Sequence, residues 1–378
     1  MKVLHIMGRE KFTEPVAKFY NAFFDNGEHE ICYLNVSGEP SIVIDAVQLK
    51  QHELFLTEKH FNDLKLIKDF FIKHDYDYIV MHSYLTYRVL KLFFYLNRKF
   101  LNKVVWIEWG ADLYQWRKVG GGLLGKITNA FEKKLRTACD SVVAIFPPDI
   151  DFYKQEFPKT NVNIYYAPYI VGDTLPKEFS SYCEASRLSE TLLKKESIYI
   201  QIGHHSTPQL NHIAVLDALK KFSNEDIKLL LPLNYGNQDY ANEVQAYAER
   251  AFPEKVICLR EMLSEEEYFR LIERVDIAIF NTQRQIALGN INRMIFRNVK
   301  LYMPADSVMY KYFSSEGVPI QAFDAIINMS FEKFISKQEV KNRELFENFI
   351  KGISNMDIKV NYWKDIYDDL RKRVEVEI

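Results

Sequence analysis

The chain has 378 residues, 48% of them hydrophobic and 26% charged, with a formal net charge of −2. That length and balance supply apolar surface for about two or three globular domains and exclude a disordered or collagen-like chain. The near-neutral charge predicts no nucleic-acid partner. Cys32, Cys139, Cys183 and Cys258 are scattered without zinc spacing, which points to a reducing compartment. The start, Met1 to Met7, meets Arg9-Glu10-Lys11 too soon for a signal peptide, and no uncharged apolar run approaches the ~20 residues of a membrane span. The expected location is cytoplasmic, with any membrane contact peripheral.

In chain order, short apolar runs at 3–7, 31–34, 78–81, 104–107 and 141–145 read as strands. A second set lies at 197–202, 228–231, 256–259, 276–280 and 299–302. Amphipathic runs at 62–73, 123–137, 211–222, 238–251, 265–274 and 285–296 read as helices. The alternation implies βαβ units and two doubly wound α/β domains. The rhythm breaks between 173 and 196, which reads as the connection. The expected domains are 1–185 and 190–355, followed by a C-terminal segment 356–378. Within that segment Val360, Trp363, Ile366, Tyr367 and Leu370 fall on one helical face, free to pack across the domain interface.

The most informative run of the first half is Trp106-Ile107-Glu108-Trp109-Gly110-Ala111-Asp112-Leu113-Tyr114. It reads as the carboxyl end of a buried strand turning into a loop, where open α/β sheets place ligands. Aromatics such as Trp109 and Tyr114 stack on sugar rings, and the Asp112 carboxylate can take a hydroxyl proton. The alternative is packed tryptophans with Asp112 as a helix cap. From Arg88 to Arg136 the chain holds eleven Lys/Arg but only Glu108, Asp112 and Glu132 as acids, interleaved with aromatic and aliphatic residues. That mixture suits an anionic membrane surface, or simply an ordinary helix exterior.

In the second half, Ile202-Gly203-His204-His205-Ser206-Thr207 ends a strand and Asn211 opens a helix, a usable phosphate cradle. Tyr235 follows the next strand and suits a base or sugar pocket. The run 281–300 contains no Asp or Glu, but holds Arg284, Gln285, Gly289, Asn290, Arg293, Arg297 and Lys300. Backbone amides, a helix dipole and arginine without an acid favour a diphosphate. Neither GxGxxG nor a P-loop is present, which argues against dinucleotide oxidoreduction and NTP hydrolysis. Asp75-Tyr76-Asp77 precedes a strand and reads as a turn; Glu265 and Glu273 read as chance. No metal cluster is expected.

Together these segments resemble glycosyltransferase family 56, the TDP-N-acetylfucosamine:lipid II N-acetylfucosaminyltransferases of bacterial surface-polysaccharide synthesis. The closest match is Trp109-Gly110-Ala111-Asp112-Leu113-Tyr114. Supporting matches are Leu4-His5 with Gly8, His82, Gly203 with Asn211-His212, Pro232 with Tyr235, and the 285–289 loop, in order over roughly residues 3–320. The resemblance implies the GT-B fold, two Rossmann-like doubly wound domains facing a central cleft. It also implies an inverting, metal-independent transfer from a nucleotide-diphosphate sugar, TDP- or UDP-linked, to a polyprenyl-diphosphate-linked saccharide, with no cofactor. The loop Gly203-His204-His205-Ser206-Thr207-Pro208 departs from the Gly/Ser-rich family pattern, and Glu108 has no family counterpart.

The expected division puts the acceptor, with Gly8, Trp109 and Tyr114, on the first domain. The donor goes on the second, with Gly203, Ser206, Asn211, Tyr235, Arg284, Gln285, Gly289 and Asn290. Asp112 is the expected base, with Glu108 and His82 as alternatives. Peripheral contact with anionic lipid would place the protein on the inner face of the cell membrane. A nucleotide-sugar 2-epimerase and a non-catalytic GT-B-like scaffold are the competing readings.

Overall fold

The computed structural model describes residues 1–8, 13–24, 27–34, 53–56, 63–83, 88–117, 122–170 and 197–376. The expected connection at 173–196, with Cys183, lies outside the described residues. The chain divides into two compact units, Met1–Asp173 with Asn355–Ile378, and Thr174–Ser354.

Unit 1 carries a seven-stranded parallel sheet in the order β3-β2-β1-β4-β5-β6-β7. Its strands are β1 (Val3–Gly8), β2 (His29–Leu34), β3 (Glu53–Leu56), β4 (Tyr78–His82), β5 (Val104–Ile107), β6 (Ser141–Ala144) and β7 (Asn163–Tyr166). Successive side chains leave a strand on opposite faces. Leu4, Ile6, Ile79, Met81, Val104 and Trp106 accordingly meet Phe71, Phe93, Leu135 and Tyr153 in one core. Val3, Met7, Tyr78, Val80, Val105 and Ile107 enter a second core on the other face. Parallel sheets need both faces covered. Here the second face is covered by the helix Thr13–Phe23 and by the last helix, Met356–Val376.

The C-terminal helix thus groups with unit 1, and its buried face meets unit 1 residues rather than standing as a separate segment. Val360, Trp363, Ile366, Tyr367 and Leu370 are all buried. The Trp363 indole donates to Pro168 O at 3.1 Å, and the Tyr20 and Tyr367 hydroxyls bond at 2.8 Å. Arg373 binds Asp140 at 3.0 Å, just before β6.

Unit 2 has a six-stranded parallel sheet in the order β10-β9-β8-β11-β12-β13. These are β8 (Ile198–Ile202), β9 (Ile227–Pro232), β10 (Val256–Leu259), β11 (Ile277–Ile279), β12 (Lys300–Met303) and β13 (Ile320–Ala322). Its core joins Ile200, Ile202, Leu229, Leu231, Ile277 and Ile279 to Val215, Leu219, Val244, Ala248 and Phe334.

Trp363→Ala should leave a cavity under the second face of the first sheet and cost roughly 3–5 kcal/mol. Urea denaturation of the variant measures it; an unchanged midpoint would show that the last helix adds no stability to unit 1.

Candidate functional site at the sheet switch points

In each sheet the strand order reverses once, between β1 and β4 in unit 1 and between β8 and β11 in unit 2. Chains leave these neighbours in opposite directions, so a crevice opens beyond their carboxyl ends, where open α/β sheets bind ligands. Gly8 ends β1 and His82 ends β4. Gly203 follows β8, and the 280–287 loop follows β11.

At the first switch point three imidazoles cross the buried sheet. His5 Nδ1 and His82 Nε2 share a hydrogen bond at 3.1 Å, and His5 Nε2 and His29 Nδ1 share one at 2.9 Å. The parallel register explains the line. His29 pairs with Val3 on β1, and β4 pairs Ile6 with Met81, so His29, His5 and His82 step diagonally along one face. Their environment is apolar and aromatic; Tyr20 lies over His5 with ring centroids 4.1 Å apart. Burial pushes the His82 pKa down to about 3. Burial, then the neighbouring His29 and His82, lower that of His5. His82 Nδ1 has no hydrogen-bond partner among the described residues. Gly8 O accepts from Thr13 Oγ1 at 2.7 Å, fixing the start of the first helix.

One strand further on, the Trp-rich run folds around its own acids. Gly110 adopts a left-handed φ of 79° and opens the short helix Ala111–Tyr114. Asp112 Oδ1 accepts from Trp109 N and Oδ2 from Trp106 Nε1, both at 2.8 Å. Its carboxylate is buried and ties the strand end to the helix start from within the first turn; the N-cap position itself is Gly110, so Asp112 is not the helix cap that the sequence offered as the alternative. Glu108 accepts from Gly110 N at 2.7 Å and from Ile145 N at 3.0 Å, joining the ends of β5 and β6. Burial first, then the charges of Asp149 and Asp112, hold the Glu108 carboxyl well above the ordinary range. Tyr114 donates to Asp149 at 2.6 Å, and the ring of Trp109 meets Tyr169 edge-on at 5.2 Å.

In unit 2 the loops after β8, β9 and β11 are stitched together. Ser206 N donates to Tyr235 O and Asn237 N to Ser206 O, and the His205 and Tyr235 rings stack at 4.9 Å. Asn211, at φ 46°, donates through Nδ2 to Asn281 O at 3.0 Å. Gly203 has φ +64°, and a Cβ there would lie 2.6 Å from His212 Nε2. Gly236 has φ +103°, and a Cβ would lie 2.4 Å from Ser206 O. Both turns therefore require glycine.

The helix Leu288–Phe296 starts after Ala287, at φ 55°, with no side-chain cap and no acid in its first turn. A Cβ on Gly289 would meet nothing within 4 Å. With no side-chain cap, the first N–H groups of this helix have no intrahelical partner and stand at the positive end of its dipole. Asn290 donates to the Tyr268 hydroxyl at 3.1 Å. Gln285 is buried, and its Nε2 has no partner among the described residues. Arg284 donates to Gln285 O at 2.9 Å and stays half-buried at the loop.

The other cations of the acid-free run are used structurally. Arg293 is buried, and Arg297 pairs with Glu273 at 3.2 Å. Lys300 donates to Lys333 O and Phe334 O, both at 2.9 Å, capping the carboxyl end of the helix Phe331–Ile335. The anion-binding expectation thus narrows to Arg284, Gln285 and the helix start. Sequence reasoning missed Tyr268 and the His5–His29 partnership, because both are contacts between distant strands and helices. Asp75, at φ 41°, ends a helix, and Asp77 accepts from Lys2 N at 2.7 Å, so that pair is a turn. Among the described residues no group of three or more His, Cys, Asp or Glu is placed to hold a metal ion.

The family model described as 4-alpha-L-fucosyltransferase, glycosyl transferase group 56, matches residues 4–342. Among solved structures, a glycosyltransferase from Rickettsia africae is similar at 14% identity and TM-score 0.64, covering 98% of each chain. Anabaena HepE in complex with UDP and glucose is similar at 13% and 0.66, over 98% of this chain and 100% of that one. Sucrose-phosphate synthase from Thermosynechococcus elongatus is similar at 12% and 0.67, over 99% and 100%. At these identities the likeness is one of fold, the two Rossmann-like units of GT-B enzymes.

Buried neutral histidines make stability depend on pH. With folded pKa values below the ordinary 6.5, the unfolded chain takes up protons first as pH falls. Stability is therefore full above about 6.5 and is lost from there down towards about 3, the His82 value. Each histidine contributes about 1.4 kcal/mol per pH unit within that window. Comparing urea denaturation at pH 7 and 5.5, the wild type should lose about 1 kcal/mol more than His82→Gln. Equal losses would mean that His82 titrates normally in the fold.

Proposed function

The chain belongs to the group 56 glycosyltransferases, and from that premise we propose that unit 2 takes a nucleoside-diphosphate sugar and unit 1 a polyprenyl-diphosphate-linked saccharide. The observation that carries the donor half is the second switch point. An uncapped, acid-free helix start, the buried Gln285 amide and Arg284 meet there beside the glycine turn at Gly203. Backbone N–H groups and a guanidinium suit the two negative charges that a departing diphosphate develops. The exposed Tyr235, stacked on His205, suits the nucleoside base, TDP or UDP.

On the acceptor side the reading moves the base from Asp112 to His82. Asp112 and Glu108 both have their carboxylate oxygens occupied, by the Trp106 indole and Trp109 N and by Gly110 N and Ile145 N respectively. His82 ends β4 at the switch point, and its buried Nδ1 has no hydrogen-bond partner among the described residues. If the protons of the imidazole line run from His82 to His5 to His29, Nδ1 carries a bare lone pair. The acceptor hydroxyl gives its proton to that nitrogen as its oxygen attacks the anomeric carbon. The diphosphate leaves from the opposite face with the bonding electron pair, inverting the centre, and no metal is needed where Arg284 and the helix start neutralise it. Trp109, Tyr114 and Gly8 line the same carboxyl edge and suit the acceptor sugar. A 2-epimerase would need acids in the unit 2 loops, and residues 281–300 hold none.

Arg284→Ala should weaken UDP or TDP binding about 10–100-fold in calorimetry, the worth of one charge-assisted hydrogen bond. Unchanged affinity removes Arg284 from the site. His82→Asn should cut turnover about 10²–10⁴-fold at constant nucleotide affinity. Asp112→Asn, which keeps one acceptor oxygen for two donors, should lower the melting temperature first. Near-normal turnover in His82→Asn with loss in a still-folded Asp112→Asn would return the base to Asp112. Transfer should persist in EDTA; loss in chelator restored by magnesium or manganese would overturn the metal-free mechanism.

A further inference from the structure

The three acids between residues 88 and 136 are all inside the fold. Glu108 and Asp112 hold the loop after β5, and Glu132 is taken up by Lys91 and, at 2.6 Å, by Arg136. Burial raises the Glu132 pKa, but these two cations outweigh it and leave the group more acidic than usual. Among the described residues of this stretch, the exposed charges are therefore only positive: Arg98, Lys99, Arg117, Lys126, Lys133 and Lys134. The helices Arg88–Leu96 and Leu123–Thr137 pack side by side, with Tyr95 and Phe131 ring centroids 4.9 Å apart and Lys134 over the Tyr95 ring at 4.2 Å.

The tip of the second helix is the opposite of a solvated end. Leu123 is 75% exposed, Leu124 80% and Ile127 56%. They occupy its first turns, with Lys126 among them and Lys133 and Lys134 two to three turns back. This helix joins the parallel neighbours β5 and β6, so it runs antiparallel to them. Its amino end therefore lies at the carboxyl edge of the sheet, the edge that holds His82 and Glu108.

We propose that the amino-terminal tip of the Leu123–Thr137 helix inserts into an anionic lipid surface. Aliphatic side chains at the front enter the acyl boundary while lysines behind reach the headgroups with their long stems. Charge selects this occupant: the exposed charges along the described residues of 88–136 are positive, Arg117 alone of them paired with an acid, Glu156, whereas the chain as a whole is at −2. A second copy of the chain fits less well. Three aliphatic side chains supply far less than the ~800 Å² per partner of a standard protein interface, and two such cationic faces would repel. The inference rests on the lipid-linked acceptor reading only for its purpose, since binding is measurable without turnover.

The test is flotation of the intact protein with phosphatidylcholine vesicles, with and without phosphatidylglycerol, at low and high salt. The expected result is flotation with the anionic vesicles only, weakened by salt as surface charges are screened. L123S/L124S should reduce the bound fraction at least ~10-fold, and K126E/K133E should abolish the preference for phosphatidylglycerol. Neither should change nucleotide affinity. Absence of flotation at low salt, or equal flotation of L123S/L124S, overturns the proposal. So does a dimer in sedimentation that L123S/L124S dissociates, which would assign the tip to a second copy. Nucleotide binding intact with flotation lost would discard the lipid surface and leave the transferase reading standing.

Discussion

Everything in this molecule follows from covering both faces of two parallel sheets. A parallel strand buried on both sides has no face left for polar residues. Val3 and Leu4, Val80 and Ile79, Val105 and Trp106 alternate between two cores, and each core needs its own helices. In unit 1 the helix Thr13–Phe23 covers part of the second face, and the chain completes the cover by returning after unit 2 with Trp363, Ile366 and Tyr367. Because every strand is parallel to its neighbours, the loops that run from strand to helix all lie at the carboxyl edges. The order reversal at β1/β4 and at β8/β11 then opens a crevice in each edge.

Two buried polar systems near the carboxyl edge of the first sheet have different jobs. The carboxylates of Glu108 and Asp112 satisfy N–H groups that a sharp turn at Gly110 would otherwise bury unpaired. Burial first, then the charges of Asp149 and Asp112, raise the Glu108 pKa. Such a group is anchored and shielded. The imidazole line His29–His5–His82 satisfies its own members in sequence and ends at the crevice. Burial keeps it neutral, which costs basicity at the point where the strand order of unit 1 reverses.

The sequence made the sheets legible because buried parallel strands are short continuous apolar runs. The strands it hid, β3, β7 and β13, all lie at sheet edges, where one neighbour is missing and the apolar demand is weaker. Asn163-Ile164-Tyr165-Tyr166, for instance, starts on an exposed residue. The site was half legible. Glycines at 203 and 236 and the acid-free run at 281–300 mark the loops that follow β8, β9 and β11 at the carboxyl edge of the second sheet. Spacing could not tell Arg284, which stays at the loop, from Arg297 and Lys300, which a distant glutamate and a distant helix end consume. Nor could it align His29 with His5 and His82, since that line depends on the register of three strands separated by up to 77 positions.

Net charge hides as much as it reveals here. A value of −2 describes the chain, yet unit 1 presents a stretch of surface with only positive exposed charges among its described residues. The cause is local. Buried N–H groups at the β5 loop call for carboxylate acceptors, and Lys91 and Arg136, drawn inward over the helix contact, require Glu132 beside them. The acids are thereby removed from the surface and the remaining lysines left without exposed partners in sequence. The same loop chemistry that shapes the carboxyl edge thus also sets the sign of the exposed charges along residues 88–136.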